Sequence, residues 1–263
     1  MDLRVVAPGD LDAVGSAIVA GWLGLRPEAT MLAALGTSPL GVYRDLAATR
    51  AAGDLDTSAL TLVQLDEYAG LAVDDPRALY DWLIRDVAGP LGVPAERVIR
   101  LDAAAGDVDA SCRAYDAAVA AAGGLDVAVL GLGPNGHLGF NEPPSDANAP
   151  TRLVPLSEAS LASNARYWGG RDRVPTRAVT AGMNVILGAQ RTLLVVSGSH
   201  KVEILRRVVG GPVTPDVPAS FLRTIPGLTL LADTDAWPDD VPPLGGVAAA
   251  PAPRVAIPGV ATS

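Results

Sequence analysis

The sequence predicts an α/β protein, doubly wound around a mostly parallel sheet with helices on both faces, and three observations carry that expectation. Short apolar runs rich in branched residues alternate with stretches of helical periodicity along most of the chain. Four of these runs end in glycine-rich or polar turns, at the strand ends where open parallel sheets place their ligands. The third is composition: 49% hydrophobic and 19% charged residues over 263 positions supply strands that can be buried on both faces.

Asp10 to Leu23 carries Leu11, Val14, Ala17, Ile18 and Trp22 at helical spacing, with Asp10 placed to cap the helix. Met31 to Leu35 reads as the first buried strand and runs into Gly36-Thr37-Ser38-Pro39, after which Leu40, Tyr43, Leu46 and Ala47 mark a second helix. A strand followed by Gly-Thr-Ser and a proline in the helix's first turn makes a nest of N–H groups and hydroxyls suited to a phosphate. The same four residues are also an ordinary turn and cap. They lack the spacing and lysine of a P-loop, so a nucleoside triphosphate is not indicated.

Leu60 to Leu65 reads as a second strand, ending in Asp66-Glu67-Tyr68-Ala69-Gly70. Adjacent carboxylates there suit a site, and strand alternation means only one of them need face a ligand; a solvated loop is the alternative. Pro76 to Val87 reads as helix, Val98 to Leu101 as a short strand, and Asp109 to Ala122 as an alanine-rich helix.

The centre of the chain is Val127-Ala128-Val129-Leu130, a buried strand that opens onto Gly131, Gly133, Gly136 and Gly139. Pro134-Asn135-Gly136 is turn chemistry, His137 sits inside the turn, and Glu142 follows five residues on. The plain alternative is a glycine-rich surface loop with an incidental histidine. Pro144 to Pro150 is loop-like, Arg152 follows it, and a helix from Ser157 carries Arg166. Pro175 to Gly182 opens another short element, and Arg191 to Ser197 is a buried strand ending in Gly198-Ser199-His200-Lys201. A helix with Val202, Leu205, Val208 and Val209 comes next, then a final strand at Leu228 to Ala232. Residues 1–237 read as a single domain, and 238–263, rich in Pro and Ala without periodicity, as a disordered or loosely draped tail.

Composition also excludes. A net charge of −9 argues against a nucleic-acid footprint and leaves no basic patch for a membrane. No apolar run is long enough to span a bilayer, and the N-terminus lacks a signal-peptide pattern. Cys112 is the single cysteine, so a cytoplasmic location is expected, and with two distant histidines there is no metal-ligand spacing. Lys201 is the single lysine beside nineteen arginines, and it stands at a strand-to-helix turn, which points to a need for a compact ammonium there.

Leu-Asp-Glu-Tyr at 65–68, Gly-Leu-Gly-Pro-Asn-Gly-His-Leu-Gly-Phe-Asn-Glu-Pro at 131–143 and Gly-Ser-His-Lys at 198–201 together resemble the glucosamine-6-phosphate deaminase/isomerase family. The resemblance covers roughly residues 10–235. It implies a Rossmann-like sheet with no nucleotide cofactor, and conversion of a 2-amino-2-deoxyhexose 6-phosphate to a ketohexose 6-phosphate and ammonia. It also implies a role for each matching residue. His137 would move a proton in opening the pyranose ring, Glu142 would support it, and Asp66 would remove the C2 proton. Gly36, Thr37, Ser38, Arg166 and Lys201 would hold the phosphate. These types suit the chemistry: an imidazole titrates near neutrality, a carboxylate can take a carbon-bound proton, and fixed cations attract a dianion. The expected partner is a small sugar phosphate, and the resemblance leaves room for a homo-oligomer.

Two positions depart from the pattern. Asn135 stands where most glucosamine-6-phosphate deaminases have Asp, which predicts a lower His137 pKa and a relay leaning on Glu142. Leu35 stands where many members carry a phosphate-facing hydroxyl. Asn135 together with Pro218-Ala219-Ser220-Phe221-Leu222 looks closer to the galactosamine-6-phosphate branch. A 6-phosphogluconolactonase-like hydrolase, which shares the Gly-His segment without Phe-Asn-Glu-Pro, and a sugar-phosphate sensor without turnover are the alternatives.

Overall fold

In the computed structural model, which describes residues 1–71 and 75–241, seven strands form one sheet whose neighbours all run parallel. They are β1 (Asp2–Val6), β2 (Thr30–Ala33), β3 (Thr61–Gln64), β5 (Val98–Ile99), β6 (Val127–Gly131), β9 (Arg191–Val196) and β10 (Leu228–Asp233). Their spatial order is β1-β10-β9-β6-β2-β3-β5. A second, antiparallel sheet joins β4 (Asp66–Tyr68), β8 (Arg177–Thr180) and β7 (Arg152–Pro155) in that order. The helices are α1 (Leu11–Leu25), α2 (Thr37–Ala51), α3 (Leu79–Leu83), α4 (Val108–Ala121), α5 (Glu158–Trp168), α6 (Met183–Leu187) and α7 (Val202–Gly210).

Strand alternation sorts side chains into two cores. Leu32, Ala128, Leu130, Leu194 and Leu230 pack with Tyr115 of α4, Ile186 of α6 and Leu205 of α7. Met31, Val129, Val195 and Leu231 point the other way, onto Val19 of α1, Val42 and Leu46 of α2, and Leu83 of α3. Each large side chain buried this way contributes about 1.5–3 kcal/mol. Parallel strands covered on both faces are the doubly wound arrangement that the apolar runs predict. A third, smaller core under the antiparallel sheet holds Tyr68, Phe140, Val154, Leu161 and Trp168.

The differences from the sequence reading lie at edges and ends. β1 was not anticipated: Asp2 and Arg4 are exposed on this edge strand, so no continuous apolar run announces it. Asp66–Tyr68 is a strand of the second sheet rather than the turn after β3; its partner β8, and β7 beyond that, come from stretches too short to read as a sheet. Asp10 closes a 3₁₀ turn ahead of α1 and makes no side-chain capping bond. The first turn of the 76–87 helix is absent, since α3 begins at Leu79. Of the proposed 238–263 tail, Pro238–Val241 are described and held close: Asp240 pairs with Arg206 at 2.9 Å and Trp237 Nε1 donates to the Val241 carbonyl. The remainder of that tail lies outside the described residues.

Successive strands β2 and β3 step one way along the sheet, and the chain then returns to lay β6 against the other side of β2. The loops after β2 and β6 therefore part from each other at a topological switch point. That is where an open α/β sheet presents a crevice.

Candidate active site

A cleft of about 510 Å³ opens there, lined by residues that follow β2, β3, β6 and β9, together with α3 and α5. Gly36, Thr37, Ser38, Asp66, His137, Arg166 and Lys201 all line it. Asn135 and Glu142 do not; they stand behind His137. Sequence-distant segments thus share one cavity because four strands of one parallel sheet end on the same edge.

At one end, α2 starts at Thr37 after an extended Gly36, and the first helical bond runs from the Leu40 N–H to the Gly36 carbonyl. No side chain caps this helix, and Pro39 has no N–H, so the Thr37 and Ser38 amides and hydroxyls form the lip of the nest. Arg166 reaches across from α5 to donate to Thr37 Oγ1 at 3.1 Å and to the Tyr167 hydroxyl at 2.7 Å. Lys201 Nζ donates to the Leu132 carbonyl at 2.7 Å. Burial and the nearby Arg166 lower the Lys201 pKa, and burial, Lys201 and Arg166 lower that of His200. Arg166 and Lys201 brought together beside a helix N-terminus suit an anion. Leu35, at the position of the missing hydroxyl, packs its side chain on two of the cores.

Asp233, at the end of β10, builds the β9 turn from below. It accepts from Ser197 Oγ at 2.6 Å and from the Gly198 N–H at 3.1 Å, and Gly198 itself sits at φ +90°, where a side chain would be strained. The sequence reading stopped that strand at Ala232. A carboxylate closing an apolar run, the same signal noticed at Asp66, was available at Asp233.

His137 lies in the loop after β6, its ring against Gly133, where even a methyl group would fall 2.0 Å from the imidazole. Its Nδ1 is 3.2 Å from Glu142 Oε2. Among the described residues Asn135 makes no hydrogen bond to the ring. Its Nδ2 donates to Glu142 Oε2 at 2.7 Å, and its Oδ1 accepts from the His137 backbone N–H at 3.2 Å. The amide therefore acts on the carboxylate and on the loop. Ser160 Oγ, in the first turn of α5, also donates to Glu142. Burial pushes the Glu142 carboxyl up, but the bonds and charge of His137 with those of Asn135 and Ser160 outweigh it and hold it at about 2. Arg152 steadies the loop by donating to Asn141 Oδ1 at 2.8 Å and Ser145 Oγ at 3.0 Å.

Asp66 stands at the start of β4, 9% exposed, and its carboxylate accepts no hydrogen bond among the described residues. Burial, and then the neighbouring Glu67, push it up to about 7. Glu67 points to the opposite face and is buried against the start of α3, where it accepts from the Leu79 and Tyr80 N–H groups at 2.9 and 2.8 Å. An aromatic wall that the sequence reading did not identify completes the cleft: Tyr68 edges onto Trp168 at 5.1 Å between centroids, Trp82 onto Tyr167 at 5.1 Å, and Arg77 lies over Trp168 at 4.6 Å. These side chains come from three elements, so no local pattern marks them. Among the described residues no cluster of His, Cys, Asp and Glu could hold a metal ion, and no helix is long and apolar enough to cross a membrane.

The model for glucosamine-6-phosphate isomerases/6-phosphogluconolactonase matches residues 23–230. The chain is similar to a glucosamine-6-phosphate deaminase of Streptomyces avermitilis, 39% identical over 89% of this chain and 91% of the relative. It is similar also to that of Halothermothrix orenii, 37% identical over 83% of this chain and 91% of the relative. Among solved structures, a monomeric glucosamine-6-phosphate deaminase superposes with a TM-score of 0.86 at 34% identity, over 90% of this chain and 98% of the other. A 6-phosphogluconolactonase from Trypanosoma brucei shares the fold at a TM-score of 0.71 and 19% identity, over 89% and 97% of the two chains.

Proposed function

The chain belongs to the glucosamine-6-phosphate isomerase/6-phosphogluconolactonase family, and from that premise we propose that it is an amino-sugar-phosphate deaminating isomerase. It takes a 2-amino-2-deoxyhexose 6-phosphate and water to a ketohexose 6-phosphate and ammonia. The observation that carries this reading is one cleft holding an unshared, raised-pKa carboxylate, an imidazole with its own carboxylate, and a cation-rich nest.

Each group has a step suited to it. The 6-phosphate occupies the nest of Thr37 and Ser38, Arg166 and Lys201, and its binding energy orients the distant reacting carbons. His137, with Glu142 behind Nδ1, passes a proton to the ring oxygen and opens the pyranose to the aldehyde. Asp66, whose carboxylate accepts no hydrogen bond among the described residues, takes the C2 proton while the C1 oxygen gains one, giving an enolamine. Return of a proton to C1 leaves an iminium at C2, and water replaces nitrogen there to release ammonia. Glucosamine 6-phosphate is the substrate that the relatives favour, and galactosamine 6-phosphate the one that Asn135 keeps open.

A coupled ammonia assay on the two hexosamine 6-phosphates, with 6-phosphogluconolactone hydrolysis measured beside it, tests the reading. Ammonia release from either amino sugar supports it. Lactone hydrolysis alone, or binding of both sugars without turnover, overturns it.

A further inference from the structure

We infer that Glu67 is a positioning residue for proton abstraction: it locks the strand that carries Asp66 against α3 and leaves the Asp66 carboxylate facing the cleft alone. The inference rests on the proposal that Asp66 is the base at C2.

Glu67 is 4% exposed, and no lysine or arginine pairs with it among the described residues. Instead four N–H donors converge on it. Oε1 accepts from the backbone of Tyr68 and Leu79, both at 2.9 Å, and Oε2 from Tyr80 at 2.8 Å and from Gln64 Nε2 at 2.9 Å. All four partners donate, so a proton on this carboxyl would meet an N–H head on, and the acceptor-only carboxylate is the form that fits. The donors belong to β3, β4 and α3. One side chain therefore ties together the point where the chain leaves the parallel sheet and enters the antiparallel one.

Gln64 extends the tie. Its Nε2 also donates to the Asp66 carbonyl at 2.9 Å, its Oε1 accepts from the Leu101 N–H at 3.0 Å, and its own carbonyl accepts from the Tyr115 hydroxyl at 2.8 Å. On its other side the Asp66 backbone is in register with Thr180 of β8. With the backbone held from both sides and Glu67 taking the buried face, alternation leaves the Asp66 side chain only the cleft.

The lock also places a buried negative charge next to the base: burial pushes the Glu67 carboxyl up, the four donors oppose that, and the like charge they hold makes Asp66 keep its proton more tightly. The titratable groups that bear on Asp66 are Glu67 and Tyr68 of its own strand and Tyr115 of α4. Thr180 of β8 does not titrate, and His137, Arg77, Arg166 and Lys201 share the cleft.

Glu67→Gln, assayed beside Asp66→Asn, tests this. Glutamine turns an NH₂ toward two of the four donors and removes the charge. We expect kcat to fall about 10- to 100-fold with KM for the hexosamine phosphate held within about threefold. The acid limb of kcat should move down by about one pH unit, because Asp66 ionises more readily without its neighbour. An unmoved acid limb, or unchanged kcat, overturns the inference, since a merely structural loss would not shift the limb. Ammonia release retained by Asp66→Asn would instead overturn the base assignment itself. If Glu67→Gln does not fold, carbon-13 carboxyl titration of the wild-type protein decides. Glu67 remaining ionised while Asp66 titrates supports the lock, and Glu67 taking a proton ahead of Asp66 overturns it.

Discussion

Asp66 and Glu142 are two acids withdrawn from water, one at the start of β4 and the other behind the loop after β6, and they finish at opposite ends of the carboxylate range. Burial pushes both upward. Among the described residues Asp66 accepts no hydrogen bond and, with Glu67 beside it, rises to about 7; Glu142 has His137, Asn135 and Ser160 around it, and they hold it at about 2 despite its burial. What separates them is company. A carboxylate left without donors can take up a proton near neutrality, while one saturated by donors stays charged and steadies what it touches.

The largest test of this contrast is Asp66→Asn. Ammonia release should drop at least about 1,000-fold, while binding of the ketohexose 6-phosphate product, read by calorimetry, stays nearly intact. Stability should move the other way. The folded Asp66 pKa lies above its unfolded value, so its contribution is greatest below pH about 4 and is lost as pH rises through about 7. Above that pH the ionised carboxylate costs on the order of 4 kcal/mol, so the variant should melt higher than wild type at pH 8 and no higher at pH 4. Equal melting at both would mean Asp66 is not the strained partner of the comparison.

Glu142→Gln should cost about 100-fold in kcat, with little change in KM, because its removal unsettles His137 rather than the phosphate nest. A change confined to KM would move Glu142 out of the relay. Lys201→Ala reads the far end of the cleft: KM should rise about 10- to 100-fold with kcat altered less, the loss of one charged hydrogen bond. An unchanged KM would remove Lys201 from the phosphate site.

Asn135→Asp is the smallest and the sharpest. It puts a second carboxylate where Nδ2 now donates to Glu142 Oε2 at 2.7 Å. Two acids that close share a proton, so the Glu142 carboxyl, followed by carbon-13 titration, should rise by about one unit or more from about 2. No shift would mean that Asn135 steadies only the backbone of the loop.

Much of this was legible in the chain. The buried strands at 127–130 and 191–196 announced themselves because a strand covered on both faces must be apolar throughout. Asp66, His137 and Lys201 stood out because polar groups just past such runs are unexpected for packing, whereas the roles expected of Glu142 and Arg166 came from the family resemblance. The antiparallel sheet was not legible. β4, β7 and β8 are three or four residues each, and their pairing was set by contacts between distant segments rather than by any local pattern. The aromatic wall was hidden for the same reason.

By itself, then, the sequence determined the doubly wound parallel sheet, since periodicity is a local property, and supplied the residues expected to bind or react. Only the tertiary structure decided which of two adjacent carboxylates meets the cleft, and that Asn135 serves Glu142 rather than the imidazole. Those outcomes depend on which donors lie within three ångströms in space, and no spacing along a chain encodes that.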